Sequence, residues 1–165
     1  MHNGLRQAFL AVSLLLITLG SHADGRESEP RQTERIPQGW ATDYDYLEPI
    51  IQYLGRKYAE SQNQGRSLYL YLYADRVSPC REFRARARRG QLDEFFEQRS
   101  VVMLDFEYIN GQLPRTERFM NAPVLMSVNA DGSPNSYMYP GFYLDGPRIR
   151  LKKALGEFFE ENDRH

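Results

Sequence analysis

Histidine is missing from the body of this chain. Its three histidines are His2, His22 and His165, two near the start and one at the last position. No imidazole is therefore available for a Ser-His-Asp site, a Cys-His site or a histidine-based zinc site. Cysteine is nearly as scarce, with Cys80 alone. One cysteine cannot close an internal disulfide, so its thiol is buried, reactive, or paired with another molecule. An excess of one charge is also lacking. Lys and Arg total 21 and Asp and Glu 22, a formal net charge of −1. So even a balance offers no electrostatic case for a nucleic-acid or membrane partner. No metal or organic cofactor is implied.

The one long apolar run is Ala8 to Leu19, preceded by Arg6 and followed by Ser21-His22-Ala23. It is short for a bilayer-spanning helix, which needs about 20 apolar residues. Small residues at Ser21 and Ala23 stand where a leader is cut, so residues 1–23 read as a signal peptide. No cysteine follows the run, so a lipid anchor is not indicated, and cleavage is expected to leave no membrane anchor. Removing 23 of the 165 residues leaves 142, with one Arg and no acid lost and a balance of −2. That length supports one domain with its own core. The expected location is periplasmic or secreted.

Residues 24–40 are polar at first, with prolines and both charges, and read as a flexible linker. From Trp40 to Tyr58 apolar residues recur at helical spacing (Tyr46, Leu47, Ile50, Ile51, Leu54, Tyr58), with Asp43 or Asp45 as a cap. Ser61 to Gly65 is a polar break. Ser67 to Tyr73 alternates Leu and Tyr, two large sets that predict a strand covered on both faces. Ser78 to Arg89 predicts a helix with Ser78 as N-cap and Pro79 at its first position, broken at Gly90. Leu92 to Gln98 is helical again, Val101 to Phe106 is a second strand, Asn110-Gly111 a turn, and Thr116 to Met120 a short helix. Val124 to Val128 and Ser136 to Tyr139 predict a hairpin about Asp131-Gly132, and Ile149 to Glu161 a closing helix. Strands separated by helices imply an α/β domain with parallel pairing and an antiparallel edge.

Two stretches carry a resemblance. Leu70-Tyr71-Leu72-Tyr73-Ala74-Asp75-Arg76-Val77-Ser78-Pro79-Cys80-Arg81-Glu82-Phe83 resembles the strand-to-helix junction of thioredoxins. It is most similar to the periplasmic C-terminal domain of the thiol–disulfide interchange proteins, where the pattern is Tyr-Ala-Asp, Trp, Cys, two residues, Cys, then Lys-Glu-Phe. Asn121-Ala122-Pro123-Val124-Leu125-Met126 resembles the loop that carries a cis-proline beside the redox site. Gly141-Phe142 resembles the small-plus-aromatic pair before the last helix. The resemblance spans roughly residues 41–161 and implies a thioredoxin-like fold over 41–165, a mixed sheet of about four strands flanked by helices.

It also implies a site in which parts are missing. Val77 stands at the position of the attacking cysteine and Arg76 at that of the preceding tryptophan. Tyr71, six residues before Val77, stands where many thioredoxins carry a buried acid. Cys80 matches the resolving position. A valine cannot ionise or form a disulfide, and exchange needs a thiolate. The expected function is a non-catalytic protein-binding or chaperone-like module of the cell envelope. Arg76, Val77, Ser78, Pro79, Ala122 and Pro123 would contact an extended polypeptide or envelope protein. Two alternatives stand beside it. One is a monothiol disulfide or glutathione exchange protein with Cys80 as the catalytic thiol, or with a Cys80-linked homodimer. The other is a structural accessory subunit of an envelope complex. Other features have simpler readings. The arginines Arg81, Arg84, Arg86, Arg88 and Arg89 are expected to form a solvated helix face, Tyr69-Tyr71-Tyr73 to be core, and Tyr137, Tyr139, Phe142 and Tyr143 to pack. Asp105 and Glu107 read as a strand end rather than an acid–base pair. Ser78 lacks a base and is expected only to cap.

Overall fold

A computed structural model describes residues 39–109, 113, 122–144 and 148–163. The predicted signal peptide, the linker up to residue 38, the Asn110-Gly111 turn and the short helix near Thr116 to Met120 lie outside the described residues.

The leucine–tyrosine alternation of β2 (Ser67–Tyr73) builds the centre of the sheet. Leu68, Leu70 and Leu72 face one layer, with Ile50, Tyr53 and Leu54 of α1 (Ile50–Asn63). Tyr69 and Tyr71 face the other, with Phe83 of α2 (Ser78–Arg88) and the apolar face of α5 (Arg148–Asn162). A residue period of two thus feeds two cores, each fully buried leucine contributing roughly 1.5–3 kcal/mol. After α2 comes the short α3 (Asp93–Phe96), then β3 (Arg99–Asp105) and the single turn α4 (Phe106–Ile109). β4 (Val124–Val128) and β5 (Pro134–Met138) form the hairpin, and a 3₁₀ turn (Pro140–Tyr143) leads to α5.

The sheet has five strands in the order β1-β3-β2-β4-β5. β2 pairs with β3 in parallel, Tyr73 opposite Asp105. β4 runs antiparallel to β2, Leu72 opposite Val124. β4, although a helix precedes it, therefore does not join the sheet in parallel as expected, but lies antiparallel beside β2. The fifth strand is β1 (Trp40–Ala41), parallel to β3 and too short to leave a period in the sequence. Trp40 is buried against Tyr71 and Phe96, at 5.6 and 5.1 Å between rings, so it belongs to the folded domain and not to the linker.

The first helix starts at Ile50, four residues after the apolar spacing begins at Tyr46. Pro49 explains the delay, because a residue before proline is pushed out of the helical region, and Pro49 itself becomes the cap position. Tyr46 sits at φ 62° and Leu47 is 88 % exposed. Asp43 and Asp45 therefore cap nothing in α1. Asp43 accepts the Tyr53 hydroxyl at 2.7 Å and pairs with Lys57 at 2.7 Å. The helix then ends at Asn63, inside the predicted polar break, with Gly65 at φ 66°. At the hairpin, Gly132 lies at φ 85°, and Asp131 accepts the Ser133 amide at 2.8 Å.

Candidate functional site

β2 ends at Tyr73, and Ala74 to Val77 turn the chain into α2. The Val77 amide donates to Ala74 O at 3.0 Å, and the Cys80 and Arg81 amides return to Val77 O at 3.1 and 3.3 Å. Val77 (φ −86°, ψ 120°) is thus the N-cap, and no side chain caps the helix. This corrects Ser78, which is the first helical residue, with Pro79 second. Proline is tolerated there because first-turn amides have no intrahelical partner.

Cys80 is 0 % exposed. Its Sγ accepts the Ala74 amide at 3.4 Å, and its carbonyl accepts the Tyr71 hydroxyl at 3.3 Å. Burial raises the thiol pKa, and the Ala74 amide and Arg84 offset only part of that. A thiolate at neutral pH is disfavoured. Tyr71, at the position of the family's buried acid, is stacked on Phe83 at 5.2 Å, and burial holds its phenol well above the ordinary range. It can orient the Cys80 carbonyl but cannot exchange a proton near neutrality.

The Ala122–Pro123 peptide is cis. Gly141 wedges against it: a Cβ there would stand 3.2 Å from Pro123 Cδ and 3.3 Å from Pro79 Cβ. The hairpin's exit, the proline loop and the start of α2 thus meet at one point. Arg76 and Ser78 are exposed, Val77, Pro79 and Ala122 half-buried, and Pro123 and Cys80 buried. Of the predicted residues, Pro79 and Pro123 thus converge on Gly141, and Arg76, Val77 and Ser78 precede Pro79 in the chain. Arg76 Nε lies 3.0 Å from Glu107 Oε1. Asp105 accepts the Glu107 amide at 2.9 Å and starts α4, so the two carboxylates are not paired for acid–base work. Among the described residues no group of three His, Cys, Asp or Glu side chains could hold a metal ion, and no helix is long and apolar enough to cross a membrane.

The arginine stretch is not simply a solvated face. Arg84 pairs with Asp75 and lies 4.5 Å over the Tyr73 ring, and Arg86 pairs with Glu82 at 2.8 Å and donates to Leu144 O. The Tyr stripe is core, as expected, with the Tyr69 hydroxyl reaching Asp163 at 2.7 Å. The later aromatics do not all pack. Phe142 is 70 % exposed beside Gly141, with Tyr137 and Tyr143 also exposed. Sequence reasoning missed a second exposed pair, Tyr46 and Tyr108, on the Glu107 side. The departure of Pro49 from the helical pattern was the available signal.

No protein-family model and no curated protein matches the chain. Solved structures do. A disulphide isomerase from Xylella fastidiosa Temecula1 is similar at TM-score 0.51 and 14 % identity, over 72 % of this chain and 97 % of that one. Thioredoxin O1 from Arabidopsis thaliana, in the oxidized state, is similar at TM-score 0.43 and 13 % identity, over 75 % and 97 %. Identity this low in the first of these speaks to architecture alone. The chain has the thioredoxin-like fold, with valine at the first position of the redox motif and one buried cysteine at the last.

Proposed function

We propose that this protein is an exported, non-catalytic binding module of the cell envelope. It would hold an extended polypeptide against Arg76, Val77, Ser78, Pro79, Ala122 and Pro123. The observation that carries this reading is the convergence of Pro79 and Pro123 on Gly141 together with an inaccessible thiol. A Cβ on Gly141 would stand within 3.3 Å of both Pro79 and Pro123, while the only cysteine is 0 % exposed. Disulfide exchange needs a thiolate that can reach its target in line, and here the first thiol is replaced and the second is shielded. Binding without covalent capture needs only the surface. Exposed large apolar side chains on both flanks of the cleft (Tyr46 and Tyr108, Phe142 and Tyr143) support it, because such patches mark contact surfaces. The apolar leader of residues 8–19 supports export.

The test uses a labelled polypeptide kept unfolded by reduction and carboxymethylation, so that it carries no thiol. Fluorescence anisotropy should show binding to the wild-type chain and equal binding to Cys80→Ala. Val77→Asp, which places a charge in the rim, should weaken binding at least about tenfold, or 1.4 kcal/mol. In native buffer Cys80 should react with a small thiol reagent only after denaturant is added. Rapid native labelling, or disulfide turnover that disappears in Cys80→Ala, would instead establish the monothiol enzyme. Cell fractionation of the tagged chain tests the envelope location.

A further inference from the structure

Among the exposed large apolar side chains of the described residues, two pairs adjoin segments that meet the start of α2. Phe142 and Tyr143 belong to the flank formed by the hairpin exit, beside Gly141 and Pro123. Tyr46 and Tyr108 belong to the flank formed by α4 and the loop before α1. This second pair is built differently. The two rings stand 5.6 Å apart at 49°, and at 45 % and 68 % exposure both residues keep area open to solvent. Tyr46 is mounted on Tyr44 at 4.6 Å, itself on Tyr53 at 4.8 Å, whose hydroxyl is held by Asp43. Tyr46 itself sits at φ 62°, where bulky residues are uncommon.

The charge around the pair is acidic. Asp45 and Glu107 adjoin the two tyrosines in sequence. Asp105 lies close enough that, after burial, it is the next cause raising the Tyr46 phenol. A guanidinium already reaches this flank. Arg76 Nε lies 3.0 Å from Glu107, with its side chain 81 % exposed. An exposed pair of this kind is weak and can be exchanged for another cation. Exposed tyrosine rings beside carboxylates attract a cation through the ring quadrupole and through simple charge.

We propose that the Tyr46–Tyr108 pair is a receptor for a lysine or arginine side chain of the polypeptide that lies over Val77 and Pro123. The inference rests on the binding reading above and narrows it to segments that are apolar over the cleft and cationic over α4. Arg76 would give up Glu107 to the incoming cation, and no bond is made or broken. The probes are two labelled, thiol-free extended peptides, identical except that one carries a single arginine and the other citrulline, which has the same shape without the charge. Anisotropy with the full chain should show the arginine peptide binding about threefold to tenfold tighter. Tyr108→Ala should erase that preference and Tyr108→Phe should keep it, because a phenyl face still attracts a cation. Tyr108 is exposed, and unchanged Trp40 fluorescence would certify each variant as folded. Equal affinities for the two peptides, or a Tyr108→Ala chain that keeps the arginine preference, overturns the cation receptor and leaves polypeptide binding standing. Failure of both peptides to bind overturns the two readings together.

Discussion

Val77 holds two positions at once: the N-cap of α2 and the centre of the cleft rim. As an N-cap it is a poor residue, since it offers no side-chain acceptor to the free first-turn amides. Asp at that position would accept one of them and also meet the positive end of the helix. Val77→Asp is therefore expected to stabilise the fold by about 1 kcal/mol in urea denaturation, while it weakens polypeptide binding. A fall in stability would mean that Val77 is held by packing and not exposed as a contact. Opposite signs for stability and binding would separate the two roles, because a merely unfolded variant loses both. The residue scale is also where the sequence spoke most clearly about chemistry. The absence of histidine and the replacement of the first cysteine needed no structure. What Cys80 could do was not legible, because a thiol at the same position can be open or shielded. Its state depends on Ala74 and on the packing above it.

At the scale of elements, the hairpin turn and α1 are locked together through a close backbone approach. A Cβ on Gly132 would stand 2.0 Å from the Ile51 carbonyl oxygen and 2.6 Å from the Gly55 amide nitrogen. Gly65, at the end of α1, has a similar left-handed φ of 66° with nothing within 4 Å of such a Cβ. Gly65→Ala should therefore show only the backbone cost, about 1–2 kcal/mol. Gly132→Ala adds a steric conflict between backbones that cannot be relieved by a rotamer, and is expected to cost more than about 4 kcal/mol. Urea midpoints of the two variants decide this, and equal losses would show that the turn can lift away from α1. The turn itself was readable from Asp131-Gly132, and so were α2, β4 and α5. The start of α1 was not. Its apolar spacing continued upstream, and the local steric effect of Pro49 overrode that pattern.

Across the whole molecule, burial falls on hydroxyls and one thiol more than on carboxylates. Burial raises the phenols of Tyr53, Tyr69 and Tyr71 and the Cys80 thiol. The folded state therefore holds these protons more tightly than the unfolded chain does. The resulting stability is complete below the unfolded values, about 8.5 for cysteine and about 10 for tyrosine, and is lost as pH rises through the folded ones. Urea midpoints followed by Trp40 fluorescence should begin to fall above about pH 8.5 and fall more steeply above about pH 10. A midpoint that stays level to pH 11 would contradict the burial of these groups. The sites lie on both faces of the sheet, with Tyr53 in the α1 layer and Tyr69, Tyr71 and Cys80 on the other side or at the site, so the loss is expected as one cooperative transition.

The sequence by itself determined the class of the fold and the loss of dithiol chemistry. Both follow from information local in the chain: a period of two in β2, apolar spacing in α2 and α5, turn residues at Asp131-Gly132, and side-chain identity at Val77. Tertiary structure alone decided the fifth strand, because a pair of residues at Trp40–Ala41 carries no period and finds its place only by pairing with β3 and packing on Tyr71 and Phe96. It alone decided that β4 runs antiparallel to β2, since strand direction depends on where the connection re-enters the sheet. It decided that Cys80 is shut away and that Tyr46, Tyr108 and Phe142 stand exposed. Exposure is a property of what surrounds a side chain. Residues that share this cleft lie up to about a hundred positions apart in sequence, and only folding brings them together.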